Sequence, residues 1–98
     1  MVRSAFEIQP ITVNGKTISK VVVDDHVEKH PDITDDVVLD LVRLLDGTDQ
    51  QPDDERGEFE YYVSLLQLIQ KQYRLVWLMK KDELFIGVIT AYRDSRSK

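Results

Sequence analysis

Cysteine is missing from the 98 residues, which excludes a disulfide framework, a thiolate metal site and a cysteine nucleophile together. Long apolar runs are missing too, so no segment has the roughly 20 consecutive apolar residues of a membrane-spanning helix. The first residues, Met-Val-Arg-Ser-Ala-Phe-Glu, lack the apolar core of a secretion signal. A cytoplasmic protein with no membrane association is the expectation. Glycine and proline number only four and three, so each one that occurs marks a break in the chain. There is no internal repeat and no linker. One domain over residues 1–98 is expected, with 1–5 and 94–98 frayed. That length suffices for a modest core.

Positive charge is also scarce. The net charge is −5 and the sequence pI about 4.9, which counts against tight, non-specific binding of nucleic acid. The charge is unevenly spread. Residues 24–60 hold fourteen acids against three bases, a local charge of −11, whereas residues 71–98 hold seven bases against three acids, a local charge of +4. The first stretch reads as a solvated acidic surface or as a mimic of nucleic acid. The second reads as an ordinary hairpin or as a small basic face for phosphate.

What is present is a strong β pattern in the last third, Gln72 to Arg93. Tyr73–Met79 and Leu84–Ala91 are rich in the β-branched and aromatic residues that suit a pleated surface. The charged Lys80-Lys81-Asp82-Glu83 between them fits a turn. Trp77, with Leu75 and Met79 on its face, belongs to a core. Upstream, Phe6–Val13 and Lys16–Val23 flank Asn14-Gly15, the strongest short hairpin signal because a type I′ turn needs two residues at φ > 0. Pro10 lacks an N–H and makes the first of these runs an edge strand or an irregular one.

Two histidines follow, His26 and His30, four apart on a short helix that Pro31 would end. Thr34 is a fitting N-cap for the main helix, with Asp35 and Asp36 at its positive end. Val37, Val38, Leu41, Val42, Leu44 and Leu45 recur at helical spacing and define a buried face. Gly47 is its stop. Thr48–Gly57 reads as a polar loop, and Glu58–Ile69 returns to β character with a C-terminal half that also reads as helix. The expected class is α+β: a short N-terminal β-hairpin and one or two helices packed on an antiparallel β-meander of three or more strands. One sheet face would be covered by the helix and the other left to water or to a partner.

Several residues have the chemistry for a site. His26 and His30 have metal-ligand spacing, but nothing fixes a third ligand, so neither a resident metal nor a cofactor is expected. A histidine can also act as general acid or base near neutral pH. Arg74, Tyr92 and Arg93 lie near strand ends, where a guanidinium can hold phosphate and a phenol can stack on a base or donate to an oxyanion. By simple alternation Tyr92 shares a face with Thr90, Val88 and Ile86, while Arg93 lies opposite.

Asp25-His26-Val27-Glu28-Lys29-His30, then Asp32-Ile33-Thr34 and Asp36-Val37, resembles the "HA…R-x-I-S/T-x-E-V" lead-in to the main helix of small bacterial proteins related to the RelE/BrnT toxin superfamily. Val88-Ile89-Thr90-Ala91-Tyr92 resembles that group's last strand, "V-I-T-x-Y". The resemblance runs from about His26 to Arg93. It implies a toxin-like, metal-independent endoribonuclease of a toxin–antitoxin pair, with RNA as substrate and a cognate antitoxin as partner. It also implies His26 as acid or base, Tyr92 and Arg93 as further catalytic groups, and Arg74 and Lys29 as substrate contacts. The alternative is a non-enzymatic protein-interaction domain of the same fold, using a sheet face or edge and able to form a homodimer.

Overall fold

The computed structural model describes residues 3–24 and 33–93. The expected short helix with His26 and His30 falls outside them. Six strands and one helix follow in the order β1 (Arg3–Val13), β2 (Lys16–Asp24), α1 (Asp35–Arg43), β3 (Asp54–Arg56), β4 (Phe59–Leu68), β5 (Lys71–Lys80) and β6 (Ile86–Arg93). All six strands lie in one sheet of order β1-β2-β6-β5-β4-β3. Every neighbouring pair is antiparallel except β2 and β6, which run parallel through Val21–Ile86, Val22–Gly87 and Val23–Val88.

The α+β expectation is therefore corrected to a mainly β protein with a mixed sheet and a single nine-residue helix among the described residues. The N-terminal hairpin is not a short appendage, because its strands are 11 and 9 residues long and β2 is zipped into the sheet beside β6. A parallel pair needs a long crossover, and here the chain between β2 and β6 supplies α1 and three further strands. The Thr48–Gly57 loop is corrected as well. Asp54–Arg56 pairs with Phe59–Tyr61 across Gly57, which sits at φ 61, and Asp53 N–H donates to the Tyr61 carbonyl at 2.7 Å. The β character of Glu58–Ile69 holds as a strand through Leu68.

The two turn types differ in their sequence support. Asn14 and Gly15 sit at φ 54 and 77 and close β1–β2. The β4–β5 hairpin is closed by Ile69 and Gln70 at φ 52 and 64, a left-handed conformation that β-branched side chains avoid. Pro10 lies where the β1–β2 register shifts between Glu7 and Ile11, so its missing N–H falls at a break in the ladder.

Thr34 caps α1 with its hydroxyl, 3.3 Å from Val37 N–H, and Asp40 and Arg43 form an exposed ion pair at 2.8 Å. Val38, Leu41, Val42 and Leu45 are buried, but Leu44 is exposed, contrary to the periodic pattern, because the helix ends at Arg43 and the chain turns away there. The turn then grips β1: Thr12 N–H donates to the Asp46 carboxylate at 2.8 Å, and Gly47 N–H donates to the Thr12 carbonyl at 2.7 Å. These bonds hold α1 over the inner sheet face. There Tyr62, Tyr73, Leu75, Trp77, Met79 and Val88 join the helix in one core.

Candidate functional site

Among the expected site residues, Arg74 and Tyr92 are brought together, since they are direct partners across β5 and β6. Arg93 is not with them. It pairs with Tyr73, whose ring is in the core, and so belongs to the other face and is exposed. His26 and Lys29 lie outside the described residues. Simple alternation misplaced Tyr92's neighbours. Val76 pairs with Thr90 and Trp77 with Val88, which leaves Ile89 as an extra, bulged residue. The bulge turns Ile86 and Val88 inward, while Thr90 and Tyr92 share the outer face with Gly87.

Among the described residues, that outer face carries exposed apolar side chains. One register row crosses it from Val22 through Gly87, Leu78 and Tyr61 to Asp54. The next row holds Thr90, Val76 and Val63, and the third Tyr92, Arg74 and Leu65. Val63 is 40% exposed and Leu65 54%, although each sits in a strand whose opposite side is core. At the Lys80 end the face opens into a groove of about 400 Å³ lined by Phe59, Tyr61, Leu78, Phe85 and Ile89. Gly87 lies under the Leu78 side chain at its floor: a Cβ there would stand 3.0 Å from Leu78 Cδ1, so a larger residue would press against Leu78. The Phe59 and Tyr61 rings, 6.5 Å apart and tilted by 47°, form one wall.

The cations at the rim of this face are each paired with a carboxylate within the chain. Arg56 lies 2.9 Å from Asp54, and its hydrogen bond lowers the Asp54 pKa and raises that of Arg56. Lys80 is 3.0 Å from Glu83 and 3.6 Å from Glu58. Its pKa is raised, first by the Glu83 hydrogen bond and then by the surrounding carboxylates. Lys81 reaches Glu55 at 3.5 Å. These pairs are solvent-exposed and add little stability, and because Lys80 alone serves Glu58, Asp82 and Glu83, the five carboxylates of the rim outnumber its three cations.

A second polar cluster lies at the inner face, where the Asn14-Gly15 turn meets the segment after α1. Asn14 Oδ1 accepts from Gln50 N–H at 2.6 Å, and its Nδ2 donates to the Tyr62 hydroxyl at 3.1 Å. Tyr62 donates in turn to Glu60 at 3.1 Å. Burial, and then the Glu60 carboxylate, push the Tyr62 phenol up to about 12, which makes it a poor proton donor to a substrate at neutral pH. This cluster ties elements together. Among the described residues, no group of three or more His, Asp or Glu side chains is placed to hold a metal ion, and no helix is long and apolar enough to cross a membrane.

Sequence reasoning assigned no role to Val63, Leu65, Phe59 or Tyr61. A signal was present. From Phe59 to Leu68 both alternating sets of side chains are largely apolar, whereas a strand with one face in water alternates apolar with polar. No protein-family model matches the chain, nor does any curated protein or solved structure.

Proposed function

We propose that this chain is a non-enzymatic protein-interaction domain that binds through the outer face of its sheet. The exposure of Val63 and Leu65 beside an aromatic groove carries this reading, because contiguous exposed apolar surface on a folded domain marks an interaction site. The face suits this role better than the edges. The β3 edge is only three residues long and reads Asp-Glu-Arg. The β1 edge is broken at Pro10. Short, charged or irregular edges resist strand addition. The experiment is photo-crosslinking in living cells from a photoreactive residue at position 65, with position 16 in the β1–β2 hairpin as control. Protein adducts at 65 and none at 16 are expected; no adducts at 65 would refute the reading.

A second reading, the metal-independent endoribonuclease, is favoured by the pairing of Arg74 with Tyr92, which sets a guanidinium beside a phenol on one face. In it the guanidinium would hold phosphate and His26 would move the proton. RNA cleavage in the presence of EDTA that is lost in both His26→Ala and Arg74→Ala would establish it. Absence of cleavage by folded wild-type protein would remove it.

A further inference from the structure

We infer that the outer face binds a basic segment of another protein. An apolar side chain of that segment enters the aromatic groove, and a Lys or Arg beside it meets the carboxylates around Lys80. This inference rests on the outer face being the interaction surface, and three observations select the partner's chemistry.

The first is an excess of acceptors at the groove's end. Lys80 Nζ lies 3.0 Å from Glu83, 3.6 Å from Glu58 and 4.0 Å from Asp82. An ammonium has three N–H donors, so at least three of the six oxygens of these carboxylates take no hydrogen bond from Lys80. The three acidic side chains are 55–70% exposed, whereas that of Lys80 is 27% exposed. A ligand therefore meets acceptor surface, with one cation set against three acids. Lys80 and Glu83 line the groove itself, which puts this negative charge beside the seat of the apolar side chain.

The second is the field around that end. The other rim pairs, Asp54–Arg56 and Glu55–Lys81, are balanced. On β2, Lys20 stands opposite Glu7 in the register and adds no net charge. Arg74, the cation on the far row of the face, is four residues from Leu78 along β5, about 13 Å away. The groove end thus favours a basic ligand and repels a polyanion. A second copy of this chain would bring the same acids to it.

The third is length. Phe59, Tyr61, Val63 and Leu65 alternate along one face of β4, a track of about 20 Å. That is long for a small molecule and fits roughly six residues of extended chain, whose alternate side chains face the sheet.

The test is selection of short random peptides, displayed on phage, by the immobilised full chain. Enriched peptides are then synthesised and titrated against wild type and three variants of wild-type circular dichroism. They are Glu58→Gln/Glu83→Gln, Val63→Glu and, as a control of equal charge change at the start of α1, Asp35→Asn/Asp36→Asn. The enriched peptides are expected to join Lys or Arg to aromatic or branched apolar residues. Their binding should weaken on the order of tenfold in Glu58→Gln/Glu83→Gln, by less than about twofold in the control, and be lost in Val63→Glu although that change adds an acid. Neutral or acidic peptides that are lost in Val63→Glu overturn the basic partner and uphold the surface. Basic peptides indifferent to Val63→Glu, or weakened equally by the two double variants, are held by net charge alone and overturn the site. No enrichment at all overturns the partner and the surface alike.

Discussion

The Trp77 indole N–H donates to the Ser64 hydroxyl at 3.0 Å in the buried interior. The Ser64 hydroxyl in turn donates to Gln50 Oε1 at 3.1 Å, so the one buried polar side chain of β4 links the core tryptophan to the segment after α1. Ser64→Ala leaves the indole donor without its partner. We expect a loss of about 2 kcal/mol, on the order of 10 °C in thermal midpoint, measured by denaturant and thermal unfolding. A change below about 0.5 kcal/mol would mean that water replaces the hydroxyl.

Tyr62 stacks on Trp77 with ring centroids 4.1 Å apart and planes within 11°. Its pKa rises from 10.0 to about 12 on folding. The folded state thus retains a proton that the unfolded state has released. The associated stability is fully present below about pH 10 and is lost as pH rises towards 12. Tyr62→Phe should be less stable than wild type at neutral pH, and the difference between the two should shrink on going alkaline. Urea midpoints of both proteins from about pH 8 to about pH 11.5 check this; a constant difference would contradict it.

Ile69 stands at φ 52 and is 83% exposed, at the tip of a two-residue hairpin flanked by the Leu68–Lys71 pair. A β-branched residue there carries local strain. Replacing Ile69-Gln70 by Asn-Gly supplies the residues this turn type prefers. The double variant should be more stable by about 1 kcal/mol or more, read as a higher urea midpoint with unchanged slope. A lower midpoint would show that Ile69 makes contacts that outweigh the strain.

Where the chemistry is local, the sequence was legible. Asn14-Gly15 forms its turn, Thr34 caps its helix, and Trp77, Leu75 and Met79 enter the core. The parallel contact of Val21–Val23 with Ile86–Val88 was not legible, because no short-range pattern encodes a partner more than sixty residues away. Ile69-Gln70 carries no turn residue, which also left the second half of β4 ambiguous between strand and helix. The extra residue Ile89 shifts the alternation of β6 by one and so moved Tyr92 onto the face with Gly87. For the candidate surface, Tyr92 and Arg74 stood out by their chemistry. Val63 and Leu65 did not, because an apolar strand residue reads as core until the opposite face is seen to hold the helix.

The most direct test of the outer face as an interaction surface is photo-crosslinking in living cells from a photoreactive residue at position 65, where the native leucine is 54% exposed. Protein adducts from position 65 that disappear when Val63→Glu is added, with none from position 16, are the predicted result. No adducts from position 65, in a protein with the circular dichroism of the wild type, would contradict the account.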